Sequence, residues 1–429
     1  MLFQTRATLI VTCFALLQFP VYGEQKEVNN LDQSNLATIK LLQQQIFALS
    51  TRILALESSV TEKQQLILES PISSKHPQVS VTMQKQQPLA KAGWTDRVRI
   101  TGDLRSRYEN INDDLKPEDQ NRHRIRARLA IATNLSDRWS AGIGLATGGD
   151  SPVSSNQTLG GGGTTKELGL DLAYINLRLS ENLDLRSGKF KNPFYRVGNY
   201  HMVWDSDYRP EGFAFNYENG RYWATGMVHF LESDNGSGSK DAETSYGMQA
   251  GVSQALSDNI KLKAGVSYYH FDVQGSKPLF KNAPLGNTVS GDGTYTHNYR
   301  QIEFFTELST VVADIPVSGF VDYVNNLDVD SQDTAWALGF KLGKASAAKT
   351  WELAYRYQRL EADALYAAIT DSDFAGGVSD SRGHIIEAAY APYNNTRLSL
   401  KYFATQYGKH NAGVSTEYDR LQLDVALKF

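Results

Sequence analysis

Beyond Trp94 the chain alternates apolar and polar residues with a period of two. In "RVRITGDL", Val98, Ile100, Gly102 and Leu104 fall on one face, and Arg97, Arg99, Thr101 and Asp103 on the other. In "RLQLDVALKF", Leu421, Leu423, Val425, Leu427 and Phe429 alternate with Arg420, Gln422, Asp424 and Lys428. Residues 336–342 and 351–358 repeat the rhythm. Successive side chains of a strand point to opposite faces, so the pattern predicts strands with one apolar and one polar side. About sixteen such segments begin near residues 97, 122, 139, 167, 184, 212, 222, 244, 260, 299, 315, 333, 350, 382, 396 and 416.

The connections alternate in length. "LSDR" (135–138), "SENL" (180–183), "ENGR" (218–221), "LSDN" (256–259) and "YNNT" (393–396) are tight and carry turn-forming Asn, Asp, Ser or Gly. Between them lie long loops, read as polar, at 110–121, 149–166, 192–211, 233–243, 272–298, 362–381 and 408–415, with a shorter one at 328–332. An even number of amphipathic strands, with short turns at one end and long loops at the other, predicts an all-β transmembrane antiparallel barrel. A soluble sandwich or propeller fits less well, because the strands are long and no repeat motif is present. Trp139, Tyr174, Tyr246, Tyr268, Trp351, Tyr390 and Tyr402 sit near strand ends, where interfacial aromatic girdles form.

Upstream the period changes. Ile39, Leu42, Ile46, Leu49, Ile53, Leu56 and Val60 recur at spacings of three and four among polar residues, which predicts a coiled coil. Ile at a with Leu at d leans toward a dimer. Residues 70–93 have no period and contain Pro71, Pro77 and Pro88, as a flexible linker does. At the start, Arg6 precedes an apolar run over 7–19 that is too short for a membrane span and fits a secretory signal. The expected order is a signal peptide at 1–23, a coiled coil at 24–69, a linker at 70–93 and a barrel at 94–429.

Composition narrows the chemistry. Twenty-two Tyr, eighteen Phe and six Trp accompany a negative mean hydropathy, as expected of strands that are apolar on one side only. A formal net charge of −4 argues against nucleic acid as a partner. The single cysteine, Cys13, lies in the removable segment, which excludes disulfides, thiol catalysis and cysteine metal sites. No HExxH, GxSxG or phosphate-binding loop occurs, so no catalytic residue, metal or cofactor is expected.

With the apolar side toward lipid, the polar side lines a lumen. It places Arg97, Arg99, Arg105 and Arg107 on the first strand beside Arg124, Arg126 and Arg128 on the second, with Arg122 above. Each Arg at the bilayer midplane of a barrel would cost about 2–4 kcal/mol, so such a row must face water or partners. Arg178 and Arg186 are candidates to extend it, although the strand parity there is ambiguous and breaks near Gly188. Acidic lumen candidates, Glu303, Glu307, Asp322, Glu352, Glu387 and Asp424, are expected on distant strands.

The loop after the fifth strand reads "GKFKNPFYRVGNYHMVWDSDYRPEGF". Gly188, Lys189, Asn192, Pro193, Phe194, Trp204, Asp205, Asp207, Glu211 and Gly212 match a G-K-x-x-N-P-F … W-D-x-D … E-G run. In this the chain resembles a family of bacterial outer-membrane porins, whose members carry a signal peptide and often a coiled coil before the barrel.

The resemblance implies a water-filled channel for passive diffusion of ions and small hydrophilic solutes. It implies an oligomer, a trimer being favoured over the dimer toward which the heptads lean. The place would be the outer membrane of a Gram-negative bacterium, with the coiled coil in the periplasm. Outer-membrane lipids are the surroundings, and the terminal Phe429 would be read by the barrel-assembly machinery. In sixteen-stranded porins this third external loop folds into the barrel. Asp205, Asp207 and Glu211 would then face the arginines across the pore. Two rivals stand beside this reading: a barrel that merely anchors a periplasmic tether, and a barrel hydrolase.

Overall fold

The computed structural model describes residues 97–233, 243–280 and 283–429. The signal peptide, coiled coil and linker expected before residue 94 lie outside them. The described strands are β1 (Val98–Asp113), β2 (Gln120–Asn134), β3 (Trp139–Thr147), β4 (Gln157–Thr158), β5 (Leu168–Ser180), β6 (Leu183–Lys189), β7 (Glu211–Glu218), β8 (Tyr222–Glu232) and β9 (Glu243–Ala255). They continue with β10 (Lys261–Phe271), β11 (Tyr299–Val312), β12 (Ile315–Asn326), β13 (Thr334–Gly343), β14 (Thr350–Leu360), β15 (Ser381–Ala391), β16 (Thr396–Tyr407) and β17 (Thr416–Lys428).

Apart from the two-residue β4, which adds to β2, each strand pairs antiparallel with the next, and β17 pairs back onto β1. The result is a closed barrel of sixteen strands, with no free edge. Every long strand starts within two residues of its expected position. At the seam, Gly102 and Phe429 exchange backbone hydrogen bonds of 2.9 and 3.0 Å. A Cβ on Gly102 would lie 2.3 Å from the Phe429 ring, so glycine is what lets that ring lie over β1.

Register explains the outer face. Leu342, Leu353, Ala388, Leu400 and Leu423 form one continuous rung across β13 to β17. Leu353, Leu400 and Leu423 are exposed, as are Trp139, Tyr246, Trp351, Tyr390 and Tyr402 near strand ends. So broad an apolar belt is costly in water and favourable in hydrocarbon.

Four expectations are corrected. The first hairpin is shorter than 110–121, because β1 and β2 continue to Asp113 and resume at Gln120, bridged by Asn112 to Asp119 at 2.8 Å. Tyr174 does not join the girdle but packs inward against the buried cluster, with Arg186 5.5 Å from its ring centre. Asp424 is not distant from the arginines, since closure makes β17 the neighbour of β1. The loop at 361–380 is not polar: Ala362, Ala364, Leu365, Tyr366, Ala367, Ala368, Ile369, Phe374 and Ala375 are all buried.

That burial is inside the barrel. Loop residues Phe194, Trp204 and Tyr208 and loop residues Leu365, Tyr366 and Ile369 share one apolar cluster with Tyr269, Phe271 and Tyr299 of the wall. The 361–380 loop therefore turns inward as well as the 190–210 loop, and Val273 and Tyr295 of the 272–298 loop join the same cluster.

Candidate pore constriction

The loop at 190–210 is held by its own motif. Asn192 accepts the Phe194 N–H at 3.0 Å, a side-chain turn that starts the inward course. Phe194 and Trp204 then lie 5.0 and 5.2 Å from Tyr269, ring centre to ring centre, both edge-on. Polar anchors fix the tip. The Tyr195 hydroxyl and the Gly198 N–H both donate to Glu307 at 2.8 Å, and the Tyr200 hydroxyl donates to Asp322 at 2.7 Å. Gly198 has φ of 60°, and a Cβ there would meet the Phe320 ring at 2.4 Å. Glycine is required twice over, by conformation and by space.

The second loop meets the first directly. The Asp205 N–H donates to the Ile369 carbonyl at 2.8 Å, the Ser372 N–H to the Asp205 carboxylate at 3.1 Å, and the Asp371 N–H to the His201 carbonyl at 3.1 Å. Asn287 braces it from behind, donating to the carbonyls of Ala362 and Leu365 at 2.8 Å each. His201, Asp205 and Asp371 bring potential metal-ligand atoms within 4.8 Å of one another. The carboxylates there already accept backbone N–H groups, and Arg356 lies 3.3 Å from Asp371. The trio is thus explained as a loop junction.

Opposite stands the arginine wall. Register sets Arg105 beside Arg126, Arg107 beside Arg124 and Asp103 beside Arg128. Like charges side by side repel, and carboxylates interleave to offset this. Arg107 grips Asp424 with two bonds of 2.7 Å and reaches Asp373 of the second loop at 3.2 Å. Glu109 is fully buried and pairs with Arg122 at 2.8 Å, Arg124 at 3.2 Å and Arg420. Arg420 also contacts Asp373 at 2.8 Å, and Arg126 contacts Asp103 at 2.7 Å. Arg105 is the loosest member, bonded to the Asn156 amide at 2.5 Å and 3.8 Å from Asp424.

The expected site residues divide accordingly. Asp207 touches the wall rather than facing it across water: it lies 2.6 Å from Arg128 and 3.7 Å from Arg126, and Ser155 donates to it twice. Asp205 turns instead to the second loop. Glu211 pairs with Lys189 at 2.6 Å, away from the wall. Arg97 and Arg99 are exposed at the short-turn end and join none of these pairs. Arg178 is exposed and pairs with Asp184 at 3.6 Å. Sequence reading missed Glu109, Asp371, Asp373 and Arg420 as members, although Glu109 shares the inward parity of Arg105 and Arg107.

Environment separates the two loop aspartates. Burial, with Asp207 and Asp371 alongside, pushes the Asp205 carboxyl well above its usual range. Burial would also raise Asp207, but Arg128 and Arg126 overcome it and hold that carboxyl far below. Where wall and loops meet, a gap of about 80 Å³ remains, lined by Arg105, Arg107, Arg126 and Lys401 together with Asp205, Asp207, Asp371 and Asp373. A chamber of about 850 Å³ extends from Tyr200 and His201 to the short-turn residues Lys344 and Ser346. In it Arg397 bridges Glu352 and Glu387 at 3.0 and 2.8 Å.

A closed barrel of sixteen strands, apolar outside and charged within, belongs to the channel-forming class of membrane-spanning barrels. The sequence model of the family described as "Putative porin" matches residues 112–313 and 288–429, and the chain belongs to that family of outer-membrane channels. Among solved structures it is similar in fold to OprB of Pseudomonas putida, at 12% identity over 78% of this chain and 95% of that one, with a TM-score of 0.53. It also matches OmpF of Salmonella typhi at 11% identity over 77% of this chain and 97% of that one, with a TM-score of 0.47. No curated protein sequence matches it.

Proposed function

We propose that the chain is a passive diffusion channel for ions and small hydrophilic solutes, narrowed jointly by the loops at 190–210 and 361–380 against the arginine wall. One observation carries this reading: guanidinium groups and carboxylates together line the gap of about 80 Å³ where the loops meet the wall. Charges of opposite sign across a narrow wet gap orient dipolar solutes and set ion preference. Most of these charges are tied in pairs. The selective group is then the loosest one, Arg105, with Arg126 and Arg128 as its neighbours. The family and the barrel's width favour an oligomer, and a trimer is the form we propose.

The test is single-channel recording in planar bilayers. Replacing Arg105, Arg126 and Arg128 together by Gln should shift the permeability ratio toward cations. An unchanged ratio would sink the assignment of selectivity to this wall while leaving the channel itself intact. Loss of all conductance in the unaltered protein would count against the channel.

A further inference from the structure

A second concentration of cationic side chains lies outside the lumen. Arg359 of β14 and Arg382 of β15 are direct cross-strand partners, and both project from the outward side of the barrel. Their rung runs from Trp336 through Arg359, Arg382 and Gln406 to Glu417. The next rung toward the short turns holds Leu338, Tyr357, His384 and Ala404, and the one after it Phe340, Tyr355, Ile386 and Tyr402. The arginine pair therefore stands one step beyond the aromatic border of the apolar belt. At that level a bilayer presents its headgroups.

Like charges directly opposite on one face of a sheet destabilise it unless something bridges them. Glu361 answers only one of the two, at 3.1 Å from Arg359. Arg382 is bonded to the neutral Gln406 amide at 3.1 Å. A cleft of about 300 Å³ opens at this pair, lined also by Lys409, His410 and Asp380. Its far wall is pre-shaped. The Asp380 carboxylate accepts the N–H groups of His410 and Asn411 at 2.8 and 2.9 Å, which fixes the 408–415 loop with Lys409 on the cleft. Lys409 has a carbonyl partner, that of Gly413 at 3.3 Å.

From this we infer that the cleft binds the phosphate of a lipid headgroup in the leaflet at the long-loop end. Two guanidinium forks and an ammonium suit a phosphate monoester, whose oxygens accept paired N–H donors. The outward direction of Arg359 and Arg382, with the apolar belt directly below, selects a lipid over a dissolved anion. The inference rests on the barrel lying in a bilayer but not on the selectivity proposed for the lumen.

The test uses the full chain purified in detergent, with binding of bis-phosphorylated lipid A and of its dephosphorylated form measured by native mass spectrometry. The unaltered protein should prefer the phosphorylated lipid about tenfold or more, as expected for charge-assisted hydrogen bonds. The double change Arg359→Gln and Arg382→Gln should abolish the preference while leaving single-channel conductance unchanged. Should that variant fail to assemble, Lys409→Gln, which changes only a loop, should still weaken binding severalfold. Equal binding of the two lipids, or a preference that survives these changes, would overturn the inference. So would competition by inorganic phosphate as strong as that by the lipid, which would make the cleft a site for free anions.

Discussion

At the scale of single residues, Asp207 ties a loop to a wall. It is nearly buried, accepts from Ser155 through both N–H and hydroxyl, and pairs with Arg128 at 2.6 Å. Its carboxyl is held well below the usual range. A depressed acid contributes its full stability at pH values above its unfolded value, about 3.9, and loses it progressively as pH falls from there through the folded one. Asp207→Asn should therefore lower the thermal midpoint at pH 7, at a cost of about 2 kcal/mol. The gap between variant and wild type should persist down to about pH 4 and close below it. Thermal unfolding followed across pH checks this, and a gap that closes between pH 7 and pH 5 would contradict it.

At the scale of elements, the second inward loop is the main departure from expectation. Its sequence, "EADALYAAITDSDFAGGVSD", is rich in small apolar residues, which solvent-exposed loops are not. That composition is legible in the sequence, whereas length and position alone predict one more external loop. Phe374 and Ile369 are almost fully buried against the wall and the first loop. Replacing 364–376 by a short Gly-Ser linker should widen the path and raise single-channel conductance. Conductance equal to that of the wild type would mean that this loop does not bound the conducting path.

At the scale of the whole molecule, the described strands close the ring on themselves. β1 and β17 are joined along eleven register pairs from Asp103 to Asp113, and the Gly102–Phe429 bonds complete the seam. Deleting 24–93 while keeping residues 1–23 should leave a barrel that still conducts, measured after reconstitution. A protein that folds but no longer conducts would favour the tether reading, in which the barrel is an anchor for the upstream segment.

The period-two alternation determined the strands, their number and their two faces, because one face must meet hydrocarbon and the other water. The strand starts followed from where that alternation begins, a local property of the chain, whereas the far end of β1, which runs on to Asp113, did not. The arginine row was legible for the same reason: Arg105, Arg107, Arg124, Arg126 and Arg128 share one parity on two consecutive strands. The partners of those arginines were decided by the tertiary structure. Asp424 and Arg420 come beside β1 only when the ring closes, and Asp373 arrives from a loop more than 250 residues downstream of Arg107. The motif residues Trp204 and Asp205 were visible, but their roles depended on a second loop that packs against the first. Contacts between distant loops inside a barrel leave no periodic trace, because they depend on the volume the ring encloses rather than on the order of residues along the chain.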